Sequence, residues 1–216
     1  MADIKFCGLT RAGDADYAAS LGAAYVGVVF AESPRRVTAP VAATVLAPAR
    51  GRARTVGVFG AASVAAVASI AGEVGLDVIQ LHGDPEPDLV ERMRPAFAGE
   101  VWAVVRVAGR IIPDGALALL SVADAVVLDA KVNGRLGGTG ACFDWDAVAR
   151  ALDRHRGQSR VVLAGGLTPA NVAEAVRVMA PDVVDVSSGV ESAPGVKDHV
   201  RMRAFSEAVR GRGSTE

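Results

Sequence analysis

The chain has 216 residues, 51% of them apolar, with a formal net charge of −1; this suffices to bury one full core and gives no sign of a second domain. Near-neutral charge and twenty scattered arginines against three lysines (5, 131 and 197) argue against a nucleic-acid or anionic-membrane partner. Two cysteines, Cys7 and Cys142, are too few for a disulfide framework, and no Cys/His cluster has metal-ligand spacing.

Free thiols fit a reducing cytosol, so the expected location is the cytoplasm. The opening residues carry Asp3 and Lys5 and then run into a strand pattern, unlike a signal peptide. The longest apolar stretch, residues 61–71, is alanine-rich, broken by serine and far short of a membrane span.

Eight short β-branched runs recur along the chain, each followed by an alanine-rich segment of helix length. The first, residues 3–7, ends in Phe6-Cys7-Gly8-Leu9-Thr10. Strand alternation points Lys5 and Cys7 one way and Ile4 and Phe6 the other. A thiol beside a charge at a strand's C-terminal end reads either as a reactive group or as a small buried hydrophobe. The second run, 25–30, leads into Glu32-Ser33-Pro34-Arg35-Arg36, where one arginine can clamp a carboxylate bidentately. The third is 55–59. The fourth, 77–81, ends in Gln80-Leu81-His82-Gly83; Gln80 points inward if Leu81 faces the helices, and His82 either binds substrate or closes the loop.

The fifth run is 101–107. The sixth, 125–129, is apolar until Asp129, and a glycine-rich stretch, 134–140, follows. Such a carboxylate either caps a loop or, with a raised pKa, serves as a general acid. The seventh run, 160–164, enters Gly165-Gly166, and the eighth, 183–187, enters Ser188-Gly189-Val190-Glu191. Each glycine alone reads as a tight turn, but glycine-rich loops after consecutive strands present backbone N–H groups to a phosphate.

Spacing of roughly 22 to 35 residues between run centres is one βα unit each time, so the expected fold is α/β, a single-domain (β/α)8 TIM barrel over residues 1–210. A doubly wound open sheet, the main rival, more often has five or six such strands. Thr168-Pro169 supplies an N-cap and N1 proline, Asp144 can cap the helix after Phe143, and Gly22 ends the first helix. Residues 211–216 lack apolar periodicity and are expected to fray.

Taken together, Lys5-Phe6-Cys7-Gly8-Leu9-Thr10, Ser33-Pro34-Arg35, Gln80-Leu81-His82-Gly83, Leu128-Asp129, Gly137-Gly138-Thr139-Gly140, Phe143-Asp144-Trp145, Leu163-Ala164-Gly165-Gly166-Leu167, Asp185-Val186-Ser187-Ser188-Gly189-Val190-Glu191 and Gly195-Val196-Lys197-Asp198 resemble, in this order, the phosphoribosylanthranilate isomerases of tryptophan biosynthesis. The resemblance spans nearly the whole chain. It implies a cofactor-independent Amadori rearrangement of N-(5-phosphoribosyl)anthranilate to the open-chain 1-deoxyribulose phosphate. By matching position, Asp129 protonates the furanose ring oxygen, Cys7 removes the C2′ proton from the resulting iminium, Arg35 holds the anthranilate carboxylate and the two glycine loops hold the phosphate.

The residues expected around the substrate are thus Lys5, Arg35, Gln80, His82, Gly138, Gly165, Gly166, Asp185, Ser187, Ser188 and Gly189. The family more often carries an aromatic residue at the place of Arg36, so Arg36 can share or take over the clamp. No cofactor or metal is expected, and a monomer is the expected state. Two other readings are a related sugar-phosphate barrel, such as the histidine-pathway aminoaldose isomerase, and a catalytically silent barrel that binds a phosphorylated ligand.

The implied mechanism makes a demand on two side chains. In water an aspartate titrates near ~3.9 and a cysteine near ~8.5, so the reactive pair of carboxylic acid and thiolate lies roughly 6 kcal/mol above carboxylate and thiol. Lys5 either tunes Cys7 toward thiolate or pairs structurally with a buried acid, Asp129 or Asp185.

Overall fold

A computed structural model describes residues 1–113, 115–130, 143–155 and 159–211. Strands and helices alternate in the order β1 (Asp3–Phe6), α1 (Ala12–Ser20), β2 (Tyr25–Val29), α2 (Ala39–Leu46), β3 (Arg54–Phe59), α3 (Val64–Val74), β4 (Val78–Leu81), α4 (Pro87–Met93) and β5 (Glu100–Val107). The second half continues with α5 (Ala116–Val122), β6 (Ala125–Ala130), α6 (Trp145–Leu152), β7 (Arg160–Leu163), α7 (Val172–Met179) and β8 (Val183–Val186). A short antiparallel pair, β9 (Glu191–Ala193) and β10 (Val196–Lys197), precedes α8 (His199–Val209). The eight parallel strands close into one barrel, β8 pairing back onto β1. The open-sheet alternative is therefore excluded, and each expected strand lies within one residue of the observed one.

Two apolar layers follow from strand alternation. Ile4, Phe6, Val26, Val28, Ile79, Leu81, Val126 and Leu128 face outward into the layer shared with the helices, where Phe6 meets Phe205 of α8 at 6.2 Å between ring centroids. The alternate residues Tyr25, Val56, Val78, Trp102, Val104, Ala125, Val127, Val162 and Val183 fill the barrel. Size is complementary across the registered rows: Trp102 stands opposite Ala125 on β6, and Tyr25 packs edge-on against the indole at 4.8 Å. Above this apolar floor the same inward rows turn polar, with Lys5, Gln80, Arg106, Asp129 and Asp185 at the C-terminal ends.

Helix ends match the punctuation in two places and depart in a third. Asp144 caps α6 by accepting from the Ala147 N–H at 2.9 Å, and Gly22, at φ +72°, follows the end of α1. Thr168 and Pro169 do not start α7. The helix begins at Val172 because Asn171 folds back, accepting from the Thr168 N–H at 2.8 Å and donating to the Gly166 carbonyl at 3.0 Å. The Thr168 carbonyl still accepts from the Asn171 and Val172 N–H groups, at 3.2 and 3.1 Å, so residues 169–171 form a turn that leads into the helix. The tail from 212 onward, the 134–140 stretch with Gly138, and Cys142 lie outside the described residues. No helix among the described residues is long and apolar enough to cross a membrane.

Candidate active site

The C-terminal ends of the strands surround a cavity of ≈ 680 Å³. Asp185 borders it and accepts at Oδ2 from the fully buried Lys5 at 2.6 Å; the two residues are also register partners across β1 and β8. A lone ammonium at this depth would cost several kcal/mol, so the carboxylate partner is what makes the position tolerable. Burial works against the ammonium, but the Asp185 charge and then the nearby Cys7 outweigh it and raise the Lys5 pKa.

Cys7 follows β1 directly and borders the cavity while remaining buried. Room for it comes from Gly27 on β2: a Cβ there would lie 3.2 Å from Cys7 Sγ and 3.3 Å from Lys5 Cε. Burial pushes the thiol up, and Lys5 pulls it back only in part. Lys5 pairs with Asp185, and its charge also acts on the Cys7 thiol against the effect of burial. Of the two acids considered as partners, Asp185 is the one bonded.

Asp129 ends the inward row of β6, and Arg106 is its register partner on β5. Burial, reinforced by the charge of Asp185, raises the Asp129 pKa to about 6 against the opposing charge of Arg106. Arg106 is drawn off by Asp84, to which its Nε donates at 2.8 Å, and it also donates to the His82 carbonyl at 3.3 Å. His82 Nε2 lies 3.8 Å from Asp129 Oδ2, beyond hydrogen-bond reach. Burial and the charges of Arg106 and Lys5 lower the His82 pKa to about 4. At neutral pH the imidazole is uncharged, so it leaves the raised pKa of Asp129 in place.

Three buried polar atoms at this mouth have no hydrogen-bond partner among the described residues: Gln80 Oε1, His82 Nδ1 and Asp185 Oδ1. All three residues border the cavity, as do Gly165, Gly166, Ser187, Ser188 and Gly189. Orphaned polar groups of this kind call for a ligand or water. The loops after β7 and β8 touch backbone to backbone, for a Cβ on Gly189 would sit 1.9 Å from the Leu167 carbonyl oxygen. Gly165, at φ +82°, leaves space for Asp129, whose Oδ1 would be 2.7 Å from a Cβ there. Among the described residues no cluster of three or more His, Cys, Asp or Glu side chains could hold a metal ion.

The two arginines after β2 part company. Arg36 is exposed and its side chain makes no hydrogen bond or ion pair among the described residues, whereas Arg35 is half-buried and forms a two-pronged bond with Glu191. Arg35 Nε donates to Glu191 Oε1 at 2.8 Å and Nη2 to Oε2 at 2.6 Å. The buried Lys197 donates to the same carboxylate at 2.8 Å and to the Ser187 carbonyl at 3.0 Å.

The expected residues are therefore brought together, Gly138 excepted because it lies outside the described residues. Three others at the mouth carried no role in the sequence reading: Arg106, Glu191 and Lys197. A signal existed for Arg106, which interrupts an apolar strand at its C-terminal end two rows from the floor. Lys197 was marked by rarity: in a chain rich in arginine, a lysine singles out a place suited to a compact point charge rather than a planar fork.

Residues 4–208 match a family model described as N-(5′-phosphoribosyl)anthranilate (PRA) isomerase. A protein of that name from Paramagnetospirillum magneticum is 43% identical over 213 residues, covering 97% of each chain. The crystal structure of phosphoribosyl anthranilate isomerase from Thermotoga maritima superposes with a TM-score of 0.88 at 32% identity, covering 98% of this chain and 100% of that one. A further solved structure of such an isomerase, in complex with reduced 1-(o-carboxyphenylamino)-1-deoxyribulose 5-phosphate, has a TM-score of 0.85 at 32% identity with the same coverage.

Proposed function

The chain belongs to the N-(5′-phosphoribosyl)anthranilate isomerase family and shares its reaction, an aldose–ketose isomerisation of tryptophan biosynthesis, and on that premise we propose that Cys7 and Asp129 are its base and its acid. The reaction is an Amadori rearrangement, an intramolecular oxidation and reduction. Asp129 delivers its proton to the furanose ring oxygen, and the C1′–O bond breaks to leave an iminium. Cys7 then takes the C2′ proton, and the electron pair moves to give the enolamine, which tautomerises to the ketone. Arg35 rather than the exposed Arg36 holds the anthranilate carboxylate, and the loops carrying Gly165, Gly166, Ser188 and Gly189 hold the phosphate. Gln80, His82 and Asp185 offer their unpartnered atoms to the sugar hydroxyls.

The observation that carries this reading is that Cys7 and Asp129 border one cavity, with β7 and β8 between their strands, and that Asp129 is held at about 6 instead of the ordinary carboxylate range. An acid poised there keeps a usable protonated fraction near neutral pH. A working thiol base suits the reducing cytoplasm. In a Cys142→Ala background, iodoacetamide is expected to abolish turnover by alkylating Cys7, and the phosphorylated product analogue to protect against it. Full activity in protein alkylated at Cys7 overturns the assignment.

A further inference from the structure

Arg35 has two edges that can each grip a planar carboxylate: the side edge made by Nε and one Nη, and the end edge made by both Nη groups. Glu191 occupies the side edge through Nε and Nη2, while Nη1 makes no hydrogen bond among the described residues. The end edge is therefore open on a residue that borders the cavity. The Arg35 stem is itself confined, because it crosses Gly8 so closely that a Cβ there would lie 2.6 Å from Arg35 Cδ.

Glu191 is pinned from its other side. Lys197 Nζ donates to Glu191 Oε1 at 2.8 Å and to Ser187, while Arg201 Nη1 donates to the Glu191 carbonyl at 2.6 Å. Both Glu191 and Lys197 are buried. Burial alone would push the Glu191 carboxyl up, but the hydrogen bonds from Arg35 and the charge of Lys197 hold it below its ordinary value, so it stays ionised. One anion between two cations leaves the group with a net positive charge, so the brace does not cancel the attraction of Arg35 for a second carboxylate.

We propose that Glu191, held by Lys197, is a positioning residue that fixes the plane of the Arg35 guanidinium and turns its free end edge to the anthranilate carboxylate. This rests on the reading of Arg35 as the carboxylate clamp. It differs from a competing arrangement in which Glu191 is a rival that the substrate must displace. A brace makes carboxylate binding stronger; a rival makes it weaker.

The test compares two ligands by calorimetry: reduced 1-(o-carboxyphenylamino)-1-deoxyribulose 5-phosphate and its anilino counterpart lacking the ring carboxylate. The ratio of their dissociation constants reads the carboxylate contact alone. In Glu191→Gln the ratio is expected to fall about tenfold, with the anilino ligand's affinity unchanged, KM raised about tenfold and kcat kept within about twofold. In Arg35→Met the ratio falls to near one, and the double variant adds nothing further. Glu191→Gln leaves Lys197 buried without its anion, so Glu191→Gln/Lys197→Met, which removes both charges, carries the same expectation should the single variant not fold. A ratio that stays at the wild-type value or rises in the Glu191 variants, while collapsing in Arg35→Met, overturns the brace and leaves the clamp standing. An unchanged ratio in Arg35→Met overturns the clamp and the brace with it.

Discussion

The two ends of the barrel use the same strands and similar residue types, yet they settle their polar groups in opposite ways. At the N-terminal end, Glu100 pairs with both Arg54 and Arg160 and accepts from Trp102 Nε1 at 2.9 Å, and Arg160 reaches the Tyr25 hydroxyl. Asp77, Asp124 and Asp182 each accept a backbone N–H from a neighbouring strand, at 2.7, 2.8 and 2.7 Å. At the C-terminal end, Gln80, His82 and Asp185 each keep a buried atom without a partner among the described residues, and Asp129 and His82 are moved far from their ordinary pKa values. One end satisfies itself and holds the barrel closed. The other stores an unmet demand that a ligand can fill.

That contrast predicts opposite responses to neutral isosteres. The largest effect is expected for Asp129→Asn, which should lower kcat by about a thousandfold through loss of general-acid catalysis while making the protein more stable. The folded pKa of Asp129 is raised from 3.8 to about 6, so its contribution to stability is complete below the unfolded value and is lost as pH rises through about 6. Above that, the ionised carboxylate costs up to about 3 kcal/mol. Thermal unfolding should therefore show Asp129→Asn ahead of wild type at pH 8 and level with it near pH 4. A variant no more stable at pH 8 than at pH 4, relative to wild type, contradicts the strained-mouth half of the comparison.

A smaller effect of opposite sign is expected from Glu100→Gln. Glu100 is 23% exposed in its side chain, so solvent screening limits the loss to about 1–2 kcal/mol. Urea unfolding should show that loss with kcat/KM within about twofold of wild type. A marked loss of activity with unchanged stability would mean that the N-terminal cluster reaches the chemistry, and the division between the two ends would fail.

Much of this was legible in the sequence because strand alternation and strand ends are local. Period-2 patterning put Lys5 and Cys7 on one face and Gln80 opposite Leu81, and the ends of the runs put Asp129 and the glycine loops at one mouth. Partnerships were less legible. Arg35 and Glu191 stand 156 residues apart, and nothing local to either says that they meet. Likewise, the sequence left the acid paired with Lys5 open between Asp129 and Asp185, and the barrel's closure of β8 onto β1 decides it. The start of α7 is less legible: the Thr-Pro signal marks a turn closed onto the Thr168 carbonyl, but the side chain of Asn171 ties back to the loop and regular helix begins only at Val172.

The measurement closest to the central claim is turnover of N-(5′-phosphoribosyl)anthranilate by Cys7→Ala beside wild type, with both proteins shown folded by thermal unfolding. With no thiolate at the end of β1 to take the C2′ proton, kcat is expected to fall at least about a thousandfold while ligand affinity persists. A folded Cys7→Ala protein turning over within tenfold of wild type would contradict the account.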